Sequence, residues 1–126
     1  MQLFKNPQHI AEHLKKKRLE LRLKQSEVAK LIGISEDSVT LWENGKSLPQ
    51  IKHYPKIIDF LGYCPFPTNN STIGGKIKEY RINYGLSHKK LGKIVGVDAS
   101  TICSWENNQT VPSSENLKKL KELIEI

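Results

Sequence analysis

Apolar residues recur along this chain at helical spacing. Ile10, Leu14 and Leu21 mark one stripe, on a helix predicted from Pro7 to about Arg22, with Asn6 as its cap and Pro7 in its first position. A second, short helix runs from about Gln25 to Ile32 and turns Val28, Leu31 and Ile32 inward. Gly33 follows, a residue that accepts the positive φ of a sharp turn. Ser35 then caps a third helix whose inner face holds Val39 and Trp42, and Asn44-Gly45 stops it. Beyond Pro49, the residues Tyr54, Ile57, Ile58 and Leu61 have the spacing of a further short helix. No segment shows the strict alternation of a strand, so the pattern predicts an all-helical chain.

The pattern occurs twice. Shifted by 63 positions without a gap, Lys15 meets Lys78, Arg18 meets Arg81, Lys30 meets Lys93 and Gly33 meets Gly96. The phrase WENGKSLP, from Trp42 to Pro49, meets WENNQTVP, from Trp105 to Pro112. Apolar positions keep the register: Leu14 with Ile77, Val28 with Leu91, Val39 with Ile102. The chain is therefore two copies of one unit of about 55 to 60 residues. Residues 1–63 form the first, 72–126 the second, and 64–71 a linker in which Pro65 and Pro67 forbid helix and Asn69, Asn70 and Ser71 favour turns. Eight linker residues reach at most about 25 Å, so the two units are expected to lie side by side. They are also expected to fill the chain, with no separate sensing or dimerisation domain.

Charge narrows the partner. Lys and Arg number 20 against 13 Asp and Glu, a formal net charge of +7. That excess favours a polyanion such as nucleic acid or an anionic membrane surface. Neither a membrane-length apolar run nor a signal-peptide core is present, and Cys64 and Cys103 fit no metal spacing, which together predict a cytoplasmic protein, nucleoid-associated if DNA is the partner. The histidines show no metal spacing either. No nucleophile–base set, paired carboxylates or glycine-rich phosphate loop is evident, so neither an enzyme nor a cofactor is expected.

A short helix, a turn around a glycine and a second helix make a helix-turn-helix arrangement. The outer face of the third helix carries Glu36, Asp37, Thr40, Leu41 and Asn44; in the second copy it carries Ala99, Ser100, Cys103, Ser104 and Asn107. Short polar and small apolar groups of this kind suit the base edges of a major groove. Trp42 and Trp105, in register with Val39 and Ile102, are read as core rather than as stacking platforms.

With those residues in view, SEVAKLIGISEDSVTLWENGKSLP resembles the lambda-repressor-like, or XRE-type, helix-turn-helix family of bacterial and phage transcription regulators. HKKLGKIVGVDASTICSWENNQTVP resembles it a second time, and together the two cover nearly the whole chain. The resemblance implies two tandem domains of four to five helices each. It places Glu36, Asp37, Ser38 and Leu41, with Ala99, Ser100, Thr101 and Ser104, where base-reading residues sit. It also sets Arg18 against Glu43 and Arg81 against Glu106 as internal ion pairs. The family opens its second helix with Ser or Thr followed by Gln; here one copy has Lys24-Gln25 and the other Ser87-His88. Lys24, Gln25, His88 and Lys89 are phosphate candidates at those helix starts, and Asn44, Lys46 and Asn107 at the end of the third helices.

The expected function is sequence-specific transcriptional regulation on double-stranded DNA, with a possible homodimer. The acidic Glu36-Asp37 tip and Leu41 support an alternative, an antitoxin-like or adaptor protein that holds a protein partner through its first unit. RNA binding is a weaker expectation, for want of an aromatic platform.

Overall fold

The structure, a computed structural model, describes residues 7–66 and 68–126; the expected cap Asn6 and the linker residue Pro67 lie outside the described residues. All regular structure among them is helical. The order is α1 (Pro7–Glu20), α2 (Gln25–Ile32), α3 (Glu36–Glu43) and α4 (Tyr54–Leu61), then α5 (Ile73–Tyr84), α6 (His88–Val95), α7 (Ala99–Glu106) and α8 (Ser114–Leu123). A single 3-10 turn, Ile51–His53, leads into α4. The chain divides into two compact units between residues 67 and 68.

In unit 1, α3 packs on α1 and α2, and α4 closes the other side of the same pair. Leu14, Val28, Val39, Trp42, Ile57 and Leu61 are buried among them. Each such side chain contributes about 1.5–3 kcal/mol on removal from water. Trp42 meets the His53 ring at 5.6 Å, and burial, with Lys52 beside it, pulls the His53 imidazole below its ordinary value. Pro65 and Phe66, read from the sequence as linker, are buried, and Phe66 stacks flat on Tyr54 with ring centres 3.8 Å apart. Unit 2 repeats the plan around Ile77, Leu91, Val95, Ile102, Trp105 and Leu120.

Two residues expected inside are outside. Leu31 is 58% exposed because α2, only eight residues long, buries Val28, Ala29 and Ile32 instead. Ala29 is 4% exposed, and its carbonyl accepts from both Gly33 and Ile34, so this side of α2 faces the turn. At the matching Gly92 even an added Cβ would stand 2.5 Å from the Val97 carbonyl oxygen. Leu21 is 49% exposed because α1 ends at Glu20, two residues before the expected Arg22, so Leu21 no longer belongs to the helical stripe.

The turns show the repeat in backbone geometry. Left-handed φ values occur at Arg22 and Gly85 (57° and 66°), at Gly33 and Gly96 (83° and 90°), and at Gly45 and Asn108 (70° and 58°). Each pair is related by the 63-residue offset. Asn accepts this conformation with little penalty; Arg22 holds it at a cost of about 1–2 kcal/mol that its partner glycine avoids.

Candidate nucleic-acid interface

Each unit builds a short helix, a three-residue turn and a second helix from backbone and side-chain bonds alone. Gly33 and Ile34 both donate to the Ala29 carbonyl, at 2.8 and 2.9 Å, which turns the chain sharply at the end of α2. The Ser35 hydroxyl accepts from the Ser38 N–H at 3.2 Å and starts α3. In unit 2, Gly96 and Val97 donate to the Gly92 carbonyl at 2.7 and 2.9 Å. Asp98 opens α7 there without a side-chain cap bond.

The angle of the second helix is set by a buried ion pair. Arg18 of α1 clasps both carboxylate oxygens of Glu43, the last residue of α3, at 2.7 and 2.9 Å. The same guanidinium donates to the Leu23 carbonyl at 3.2 Å, fixing the α1–α2 turn. Arg81 repeats this in unit 2, with Glu106 at 2.6 and 3.0 Å and the Leu86 carbonyl at 3.1 Å. The expected pairing of Arg18 with Glu43 and Arg81 with Glu106 is what the structure contains. The hydrogen bond to Glu43 raises the Arg18 guanidinium above its already high ordinary value. Burial alone would push the Glu106 carboxyl up, but hydrogen bonds from His88 and Arg81, with their charges, outweigh it and hold it below the ordinary range.

Two of the residues read as phosphate contacts also serve this internal network. Gln25 Nε2 donates to Glu43 at 3.2 Å, and Gln25 Oε1 accepts from the Thr40 hydroxyl at 2.7 Å. His88 Nε2 lies 3.3 Å from Glu106. Position 25 and its counterpart 88 thus tie the start of α2 and α6 to the end of α3 and α7. The exposed Lys24 starts α2 differently from the family pattern: its N–H donates to the Glu27 carboxylate at 2.9 Å, whereas Ser87 caps α6 at the Lys90 N–H, 3.1 Å away.

The remaining candidates line the outer faces. On α3 and just beyond it, Glu36, Asp37, Leu41, Asn44 and Lys46 are exposed, while Ser38 is half-buried with its hydroxyl 3.0 Å from that of Ser35. In unit 2, Lys89, Ser100 and Asn107 are exposed and Ala99, Thr101 and Ser104 half-buried. Ser104 bonds Thr110 in the following loop at 2.9 Å, and Asn107 donates to the Cys103 sulfur at 3.5 Å. Thr40, read from the sequence as part of the outer face, is half-buried with its hydroxyl on Gln25 of α2, and Thr110 was missed by sequence reasoning. Nothing in the sequence points to Thr110.

A helix-turn-helix family model matches the chain twice, over residues 14–68 and 77–126, two spans that begin 63 residues apart and together cover most of it. The chain belongs to the helix-turn-helix family. No curated protein and no solved structure matches it. The family is one of DNA-binding regulators, and this member carries two tandem copies of the domain. Among the described residues no helix is long and apolar enough to cross a membrane.

Proposed function

We propose that this helix-turn-helix protein is a sequence-specific transcription regulator that reads the DNA major groove with α3 and α7. The observation that carries the reading is the helix, glycine turn and helix of each unit, with the second helix locked by its arginine–glutamate pair and its outer face left to solvent. On this reading Glu36, Asp37, Leu41 and Asn44 face base edges or phosphates from unit 1, with Ser38 at the edge of the contact. Ser100 and Asn107 do so from unit 2, flanked by Ala99, Thr101 and Ser104. Lys24, Lys46 and Lys89 supply phosphate contacts, as do Gln25 and His88 through the groups their internal bonds leave over. Residues 64–71 act as the linker between the two domains. The family match supports a binding role rather than an enzymatic one, and DNA as partner would place the protein with the nucleoid.

The two reading faces differ at every position before the shared asparagine, so one chain recognises two unlike half-sites. Unit 2 has no acidic residue on α7 before Glu106 and carries the larger share of the affinity. Selection of bound sequences from random duplex DNA, followed by footprinting of the winner, tests this. Two unlike protected elements are expected; enrichment of no sequence would sink the proposal.

One observation favours a second role for unit 1. The outward side chains of α3 ahead of Asn44 are two carboxylates and a 43% exposed leucine, because the Ser38 and Thr40 hydroxyls are engaged internally. That face suits a basic protein surface as well as a cytosine-rich site. Binding of the isolated chain to a protein partner after nuclease treatment, lost on Leu41→Glu, would establish it.

A further inference from the structure

The residue that opens α6 differs in one chemical respect from its counterpart in unit 1. Gln25 and His88 occupy the same place in the repeat and reach the same glutamate, at 3.2 Å from Glu43 and 3.3 Å from Glu106. An ionised carboxylate only accepts hydrogen bonds. Glu106, held below the ordinary carboxylate range, is ionised at neutral pH. The imidazole nitrogen facing it, Nε2, must therefore carry a hydrogen. Neutral His88 is thus fixed as the Nε2–H tautomer, and its Nδ1 is a bare acceptor. Nδ1 has no partner among the described residues, and no buried side-chain nitrogen or oxygen among them lacks one, so Nδ1 reaches solvent on a side chain 37% exposed. Protonation turns that outward lone pair into an N–H donor and the ring into a cation. Gln25 has no such change available: with one amide hydrogen on Glu43, its second is a donor at every pH.

We propose that His88 is a proton-gated DNA contact: as imidazolium it donates from Nδ1 to a backbone phosphate, and as neutral imidazole it presents a lone pair that repels one. This rests on the DNA-binding reading above and adds to it that unit 2, unlike unit 1, grips DNA more weakly as pH rises. The charged groups around His88 leave it as the switching element. From α7 it faces Glu106; from α5, Arg81 shares that carboxylate; on its own helix Lys89 and Lys90 are exposed. Lys119 of α8 lies at the far end of α6, 3.4 Å from the Val95 carbonyl. Lysine and arginine ordinarily titrate far above the range in which imidazole does.

The test is duplex affinity of the full chain at fixed ionic strength from pH 5.5 to pH 8, for the native protein and His88→Gln. Loss of one charge-assisted contact predicts that the native protein weakens about tenfold across the range. His88→Gln restores the donor found in unit 1, so its profile is markedly flatter than the native one and at pH 8 it binds more tightly than the native protein. A tighter complex at pH 8 is a result that a purely structural role for His88 does not produce. A flat native profile, or a His88→Gln profile as steep as the native one, overturns the proposal. Nitrogen NMR of the free protein reads the tautomer independently of DNA: neutral His88 found as the Nδ1–H form also overturns it. No binding at any pH would overturn the DNA reading itself, and the gate with it.

Discussion

Replacement of Arg81 by alanine is the sharpest perturbation of the scaffold. The Arg81 and Glu106 side chains are 9% and 5% exposed, so the pair is dry, with two bonds at 2.6 and 3.0 Å. Removing one member of a buried pair strands the other charge, at a cost of about 3–5 kcal/mol. The Leu86 carbonyl loses its donor as well, which adds about 1 kcal/mol. His88 remains beside Glu106 and recovers part of this, so a net loss of about 3 kcal/mol is expected. Unit 2 spans Thr68–Ile126. A domain of that size has about 3–9 kcal/mol to lose, so Arg81→Ala removes about a third or more of its stability while unit 1 is unaffected. Urea titration followed by amide NMR resolves the two units, and the signals of Ile102 and Trp105 should collapse at far lower denaturant than those of Val39 and Trp42. The paired change Arg81→Met with Glu106→Leu removes both charges and should recover most of the loss. If Arg81→Ala leaves the unit 2 midpoint unchanged while DNA affinity falls, Arg81 is a phosphate contact and the scaffold argument is wrong.

Other outcomes follow from the same geometry. Arg22→Gly puts at φ 57° the residue its counterpart Gly85 already supplies at 66°, and should raise unit 1 stability by about 1 kcal/mol, or about 4–8 °C in melting temperature, read by calorimetry; an unchanged or lower midpoint would refute the strain. Glu106 titrates below the ordinary carboxylate value when folded, so its contribution is present above that value and is lost as pH falls through the depressed folded one. Unit 2 should therefore lose stability on acidification below about pH 4.5, and Glu106→Gln should flatten that limb of the melting profile. Ser100→Glu should weaken binding to the selected DNA more than Asp37→Ala does; the reverse order at fixed salt would make unit 1 the main reader.

Much of the fold was legible because the repeat reports on itself. Two copies of Trp-Glu-Asn, each behind a glycine turn, locate both second helices, and the matched apolar positions locate both cores. The errors came from segments too short for periodicity to decide. In the eight residues of α2, Val28, Leu31 and Ile32 all fit an inward stripe, whereas the folded helix buries Val28, Ala29 and Ile32. The end of α1 was read late because Arg22 does not announce the left-handed turn that Gly85 does.

The candidate interface was legible in outline. The outward stripe of Asp37, Leu41 and Asn44 follows from helical spacing alone and is exposed as expected. The inward bonds of Gln25 and His88 were not read, because their partners Glu43 and Glu106 lie eighteen residues further on and are brought near only when the second helix folds back. A side chain at a helix start looks free in a sequence; whether a carboxylate arrives opposite it is a tertiary fact.

The central claim, that the paired units grip duplex DNA through phosphates and base edges, is tested most directly by measuring affinity for the selected duplex against salt concentration. Several phosphate contacts per unit predict a log–log slope of about −4 to −8, at about −0.9 per contact, with a scrambled duplex binding far more weakly at every salt. An affinity that is unchanged between low and moderate salt, or equal for the two duplexes, would contradict it.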